Sequence, residues 1–408
     1  MPASPGWRHE MSGPLAGIRV LDIATFVAAP FCGTIMAEFG AEVIKIEQPG
    51  EGDSLRRFGT MTDVGDTLVW LSEARNKKSV TLDLRTPEGA EMFRQLVAKS
   101  DVVLENFRPG TMEKWGLGYE SLAKINPRIV MLQVSAYGQT GPMKGKPGFA
   151  RIAHAFSGLA YLAGEPGRPP VVPGSTSLAD YMSGLFGTVG VLIALRHAEL
   201  TGEGQTIDIG LYESIFRVLD ELAPAYDKFG YQRERMGPDT VNVVPHSHYE
   251  TRDGAWVALA CSNERMWERL CKAMGRSELA TDPRYTGARQ RDLHRAEVNA
   301  IVADWARSLD IADLLAVCEA NEAPASKLLS IADIFEDPQY AARENLQTID
   351  DPRAGRLVLP GPLPRLSRTP PELRSAGPAL GSANDEIWGD LIGKDADALA
   401  DLKQRRII

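Results

Sequence analysis

The feature that most constrains this chain is an alternation of short apolar runs with helical segments that starts at Gly17 and then repeats. Ile18 to Ile23 is a mainly apolar run, Pro30 to Phe39 suits a helix closed by Gly40, and Val43 to Ile46 is apolar again. That is a βαβ unit, two parallel strands joined by a crossover helix. Val80 to Leu84 then leads into a helix with Thr86 as N-cap and Pro87 at its first position, and the runs Val102 to Leu104 and Ile129 to Val134 follow. Helices alternating with strands cover both faces of a sheet, so the expected fold class is α/β, a Rossmann-like, doubly wound parallel sheet.

At 408 residues the chain exceeds one ordinary core, and two domains are expected. A long helix is expected from about Asp180 to Leu200, with Gly184, Gly187 and Gly190 at three-residue spacing where another element packs closely. From about Tyr226 to Asn321 the pattern changes to one clear strand, Trp256 to Ala260, and several helices. The expected division is therefore residues 1–225 as the first part of a large domain, 226–325 as a smaller α+β domain, and 326–408 as a segment returning to the large domain. That last segment is rich in proline and glycine from about Pro352.

The formal net charge of −9 argues against a nucleic-acid binder, which needs a basic surface to neutralise phosphates. Cys32, Cys261, Cys271 and Cys318 are scattered, with neither metal-ligand spacing nor a disulfide framework, and read as buried free thiols. The first residues lack a cationic start followed by an apolar core, so no secretory signal is expected. The most apolar stretch, Leu178 to Leu195, contains Asp180 and three glycines and does not read as a membrane span. The expected location is the cytoplasm.

The first βαβ turn reads Thr25-Phe26-Val27-Ala28-Ala29-Pro30, without GxGxxG, so a nicotinamide cofactor is not expected. Its small residues still let a phosphate-bearing ligand approach a helix start. Further on, Val171-Val172-Pro173-Gly174-Ser175-Thr176-Ser177-Leu178-Ala179-Asp180 puts a carboxylate in the first turn of the long helix. Ser177 and Asp180 fit a Ser-x-x-acid capping box, a purely structural reading. The same position suits a nucleophile, because a carboxylate at a helix start is expected to stay ionised at neutral pH, within reach of a bound acyl thioester.

Pro14-Leu15-Ala16-Gly17-Ile18-Arg19-Val20-Leu21-Asp22, Gly40-Ala41-Glu42-Val43-Ile44-Lys45-Ile46-Glu47, Arg75-Asn76-Lys77-Lys78-Ser79, Glu105-Asn106-Phe107-Arg108-Pro109-Gly110, Ala136-Tyr137-Gly138-Gln139-Thr140-Gly141-Pro142 and Thr201-Gly202-Glu203-Gly204-Gln205 resemble successive signatures of the class III CoA transferases. Within that family, Pro147 to Ala155 and Pro245-His246-Ser247-His248 look most like the branch that moves CoA from succinyl-CoA to malate. The resemblance implies an interlocked homodimer, or a heteromer with a paralogue. It implies CoA and acyl-CoA as substrates, with no permanently bound cofactor and no metal. Asp180 matches the family's catalytic aspartate, which forms an acyl anhydride and then an aspartyl-CoA thioester. Val27, Ala28, Leu82, Arg85, Asn106, Phe107 and Arg108 match CoA-lining stretches, with Gln48 and Lys114 at positions where a relative has arginine. Arg56, Arg57, Lys77 and Lys78 read individually as solvated charges, and as a cluster they offer local positive potential. Arg151, His154 and His246 are the candidates to hold the far carboxylate of a dicarboxylate acceptor. Family racemases pair the aspartate with a histidine where Phe149 stands here, so the racemase alternative lacks its second acid/base group. A non-catalytic subunit is the other alternative, against which the presence of Asp180 counts.

Overall fold

The alternation builds the sheet in a computed structural model that describes residues 13–408. In chain order the elements are β1 (Arg19–Asp22), α1 (Ala28–Glu38), β2 (Glu42–Glu47), β3 (Lys78–Thr81), α2 (Pro87–Val97), β4 (Val102–Glu105), β5 (Val130–Ser135), α3 (Ala150–Phe156), α4 (Leu178–Thr201) and β6 (Thr206–Gly210). The strands order as β3-β2-β1-β4-β5-β6, every neighbouring pair parallel, with Val20 opposite both Val43 and Val102. Alternate strand residues feed two apolar layers, as a doubly wound sheet requires. Leu21, Ile44 and Met131 pack with Phe93 and Leu96 of α2. Val20, Val43 and Leu132 pack with Cys32 and Met36 of α1 and Val191 of α4. The order reverses between β1 and β4, and in open α/β sheets ligands bind beyond the strand carboxyl ends at that point.

Thr86 caps α2 as its sequence predicts, accepting from the Gly89 amide. The three glycines of α4 each face a neighbour. A Cβ would lie 2.7 Å from the Ala28 carbonyl oxygen at Gly184, 2.7 Å from Leu132 Cδ2 at Gly187 and 2.9 Å from Ile207 Cγ2 at Gly190. By length and composition α4 could cross a membrane, but this face is packed on α1 and the sheet, as in a core helix.

The chain divides into two units. The first holds residues 13–159, Gly174–Glu221 and Ala341–Ile408, and the second holds Ala160–Pro173 and Leu222–Tyr340. The chain thus changes unit at 159/160, 173/174, 221/222 and 340/341, where the sequence reading drew lines at 225/226 and 325/326. In the first unit the proline-rich end lies along edge strand β3. The Ala383 amide donates to the Ser79 carbonyl and the Asn384 side chain accepts from the Thr81 amide, which covers ladder groups an edge would expose. An antiparallel hairpin of Leu346–Asp351 and Gly355–Pro360 precedes it.

The second unit carries an antiparallel sheet of β7 (His246–Glu250), β8 (Trp256–Ala260) and β9 (Ala325–Lys327). Its core is built from Trp267, Leu270, Val298, Val302 and Leu314 on three helices. Only β8 was legible in the sequence. β7 buries Ser247 and Tyr249 on alternate positions, so its pattern is too polar to read as apolar alternation.

Candidate active site

Asn106, just after β4, ties the two loops of the switch point together. Its Oδ1 accepts from the Thr25 amide at 2.8 Å and its Nδ2 donates to the Thr25 carbonyl at 2.7 Å. Phe26 takes a left-handed φ of 60° and its amide donates to Asp53 Oδ1. Here the strand carboxyl ends open into a cleft lined by Thr25, Gln48, Leu82, Arg85, Phe107 and Trp115, among others. Phe107 and Trp115 meet edge to face with centroids 5.1 Å apart.

Beneath the cleft lies a buried ionic network that sequence reasoning missed. Lys77 Nζ is 2.9 Å from Asp22 and donates to the Pro30 carbonyl, which pins the first turn of α1. Lys45 Nζ is 2.9 Å from Asp53, and Arg56 pairs with Glu47 and Asp66 while lying over the Trp70 ring. The reading of Arg56 and Lys77 as solvated charges is therefore overturned, since they are only 4% and 5% exposed. The Glu47 and Asp66 carboxylates more than offset the desolvation of Arg56, whereas for Lys77 burial outweighs the pull of Asp22 and holds its pKa below the usual lysine range. The available signal was charge inside a strand buried on both faces, as with Asp22 and Lys45.

Of the positions matched to a CoA site, Gln48, Leu82, Arg85 and Phe107 line the cleft. Val27 and Ala28 are buried at the start of α1, their side chains in the core, and no side chain caps that helix. Asn106 brackets Thr25 as described. Arg108 and Lys114 are exposed, outside the cleft lining, and carry no ion pair among the described residues. Arg85 is exposed and held in a two-pronged pair by Asp83 at 2.8 and 2.9 Å.

Asp180 sits in the first turn of α4, one turn before Gly184 meets α1 and next to Tyr181, whose ring packs on Phe31 at 4.9 Å. The expected capping box does not form. Ser177 makes no side-chain cap bond, and its ψ of 54° is far from the extended value of a capping residue. Instead His154 Nε2, reaching from α3, accepts from the Ala179 amide at 3.0 Å. The Asp180 amide donates to the Ser177 carbonyl, while its carboxyl group has no hydrogen-bond or ionic partner among the described residues. Burial without such a partner pushes this carboxyl up to about 7. The expectation that this group stays ionised at neutral pH is thereby corrected, desolvation by burial being the cause.

Arg151 is exposed on α3, while His154 three residues on is 2% exposed, with its Nδ1 buried and unpartnered among the described residues. Phe149 is exposed and meets Phe26 edge to face at 6.0 Å, so no histidine stands where a racemase has one. His246 belongs to the second unit, where it lines a pocket with Thr240, His248, Ala258 and Ser326, and its Nδ1 is also buried with no partner among the described residues. All four cysteines are free and buried. Among the described residues no group of His, Cys, Asp and Glu could hold a metal ion.

The family model for CoA-transferase family III matches residues 15–384. The beta subunit of succinyl-CoA–L-malate CoA-transferase from Chloroflexus aurantiacus is 54% identical over 397 residues, 97% of this chain and 98% of that one. The alpha subunit from the same organism is 51% identical over 407 residues, covering 100% and 95%. Among solved structures, a CAIB/BAIF family protein from Brucella suis superposes with a TM-score of 0.81 at 34% identity, covering 93% of this chain and 99% of that one. An aspartate at a helix start, a cleft at the switch point of a parallel sheet and these likenesses agree: the chain belongs to CoA-transferase family III and is a CoA-transferase.

Proposed function

We propose that this enzyme moves CoA from succinyl-CoA to a small dicarboxylic acid through Asp180, with malate the first candidate acceptor and citramalate or itaconate next. The observation that carries the reading is a largely buried carboxyl at the start of α4 with no group bonded to it among the described residues. The Asp180 carboxylate attacks the donor thioester carbonyl, a C–O bond forms, the C–S bond breaks and CoA leaves as thiolate. The thiolate then attacks the aspartyl carbonyl of this mixed anhydride, releasing succinate and leaving an aspartyl-CoA thioester. The acceptor carboxylate attacks that thioester, and the expelled thiolate takes the acceptor's acyl carbon, which restores Asp180. Dividing one exchange into such steps is what covalent catalysis achieves.

In this reading CoA lies across the β1–β4 cleft against Gln48, Leu82, Arg85 and Phe107, with Val27, Ala28 and Asn106 shaping the turn. Arg108 and Lys114 supply exposed charge for phosphates, and Arg151 and His246 remain the acceptor candidates, His154 Nε2 being engaged by the Ala179 amide. The names of the two Chloroflexus subunits support a heteromer with a paralogue, and an interlocked homodimer, which the family resemblance implies, is the other assembly. Leu185, Val189, Leu192 and Ile193 form an exposed apolar stripe on α4 that suits such a contact. Four buried free thiols suit the cytoplasm.

The test incubates the chain, purified alone, with succinyl-CoA and a panel of dicarboxylates and follows new CoA esters by mass spectrometry. Hydroxylamine trapping in parallel should mark Asp180. Label on another residue would remove the mechanism. Turnover only after a second chain is added would replace the homodimer with a heteromer.

A further inference from the structure

The amides at the start of a helix need acceptors, and a side chain at the N-cap ordinarily supplies one. In this chain Thr67, Thr86, Asn263, Ser330 and Asp395 do so, with ψ between 146° and 173°. Ser177 does not, and Asp180 at the third helical position does not reach back to complete a box. The acceptor comes from 25 residues away, His154 Nε2 on the Ala179 amide. An Nε2 that accepts leaves the ring hydrogen on Nδ1, and that atom is buried with no partner among the described residues. A histidine with only a packing role would avoid burying an unpaired donor.

A carboxylate that accepts amide hydrogen bonds is stabilised and is a weaker nucleophile. Resting on the reading of Asp180 as the nucleophile, we propose that His154 is a positioning residue, whose Nε2 takes the Ala179 amide in place of the absent Ser177 cap, seats the first turn of α4 and so holds the Asp180 carboxylate clear of the backbone and aimed for attack. Burial and the nearby Arg151 both lower the tendency of His154 to protonate, which keeps Nε2 an acceptor. The role differs from holding the acceptor's far carboxylate, because Nε2 is already engaged by the backbone.

The test compares His154→Gln, whose amide oxygen can stand near the Nε2 position, with His154→Leu, which keeps bulk but accepts nothing. Loss of the acceptor should lower kcat and the rate of hydroxylamine-trapped labelling about tenfold in the Leu variant, while KM for both substrates stays within about twofold, as misplacement of a reacting group predicts. The Gln variant should recover most of the loss. Melting temperature and assembly size are measured for each, and if the Leu variant does not fold, His154→Asn, too short to reach the amide, takes its place. An unchanged kcat in the Leu variant would overturn the proposal, as would a Gln variant no better than Leu. So would an acceptor KM raised tenfold at constant kcat, which marks a substrate contact. Asp180→Asn is labelled alongside. Label that survives there removes the nucleophile reading itself, whereas label that needs Asp180 but ignores His154 removes only this proposal.

Discussion

The chain contains the same four-residue helix start twice with opposite results. Ser330-Ile331-Ala332-Asp333 forms a complete capping box: the Asp333 carboxylate accepts from the Ser330 amide at 2.8 Å and Ser330 Oγ accepts from the Asp333 amide at 3.2 Å. A bond from Lys327, with those from Ser330, brings that half-buried carboxyl down to about 2. Ser177-Leu178-Ala179-Asp180 forms no box, and burial takes its carboxyl up to about 7. One acid is fixed as a structural cap. The other has no bonded partner among the described residues, and the difference comes from His154 and from the α1 surface on which α4 lies, neither of which is part of the motif.

The contrast breaks most clearly by removing each acid. On the proposed role of Asp180 as nucleophile, Asp180→Asn should lower kcat by at least about a thousandfold, and Asp333→Asn should leave kcat unchanged. Steady-state rates on the two folded variants decide it.

Next in size is pH. The Asp180 carboxylate must be ionised to attack, so the labelling rate should fall about tenfold for each unit below its pKa of about 7. Stability runs the other way. A carboxyl raised from 3.8 in the unfolded chain to about 7 in the fold loses its proton first when unfolded. Its contribution therefore weakens as pH rises from about 4 to about 7 and is level above, a dependence that denaturant titrations should find missing in Asp180→Asn. Asp333 has the opposite sign: its small contribution is present above the ordinary carboxyl range and is lost as pH falls towards 2.

Smaller again is the seating of α4. Gly184→Ala drives a methyl to 2.7 Å from the Ala28 carbonyl oxygen, a backbone atom that cannot turn aside, and should destabilise the protein by about 1–3 kcal/mol in chemical denaturation. The smallest effect sharpens the comparison of caps. Ser330→Ala should lower stability by about 1 kcal/mol, and Ser177→Ala, whose side chain caps nothing, should leave the denaturation midpoint where it is.

Much of the architecture was legible because it is written in local periodicity. The apolar runs from Ile18 to Val134 became five parallel strands, and the spacing of Gly184, Gly187 and Gly190 marked a face that meets α1, β5 and β6. The site was legible in part. Asp180 does stand in the first turn of the long helix, and four of the matched CoA positions line one cleft, but the bonding state of that acid was misread. Arg56 and Lys77 were misread too, because a charge run looks the same on a surface as it does beneath a cleft.

By itself, then, the sequence determined the repeating βαβ pattern, the helix that carries Asp180 and the glycine face on which it rests, because backbone preference and side-chain period act over a few residues. Only the tertiary structure decided which Ser-x-x-Asp closes on itself and which stays open. That choice depends on burial and on an acceptor far away in the chain, and neither dehydration nor a partner 25 residues distant is encoded in the four residues concerned.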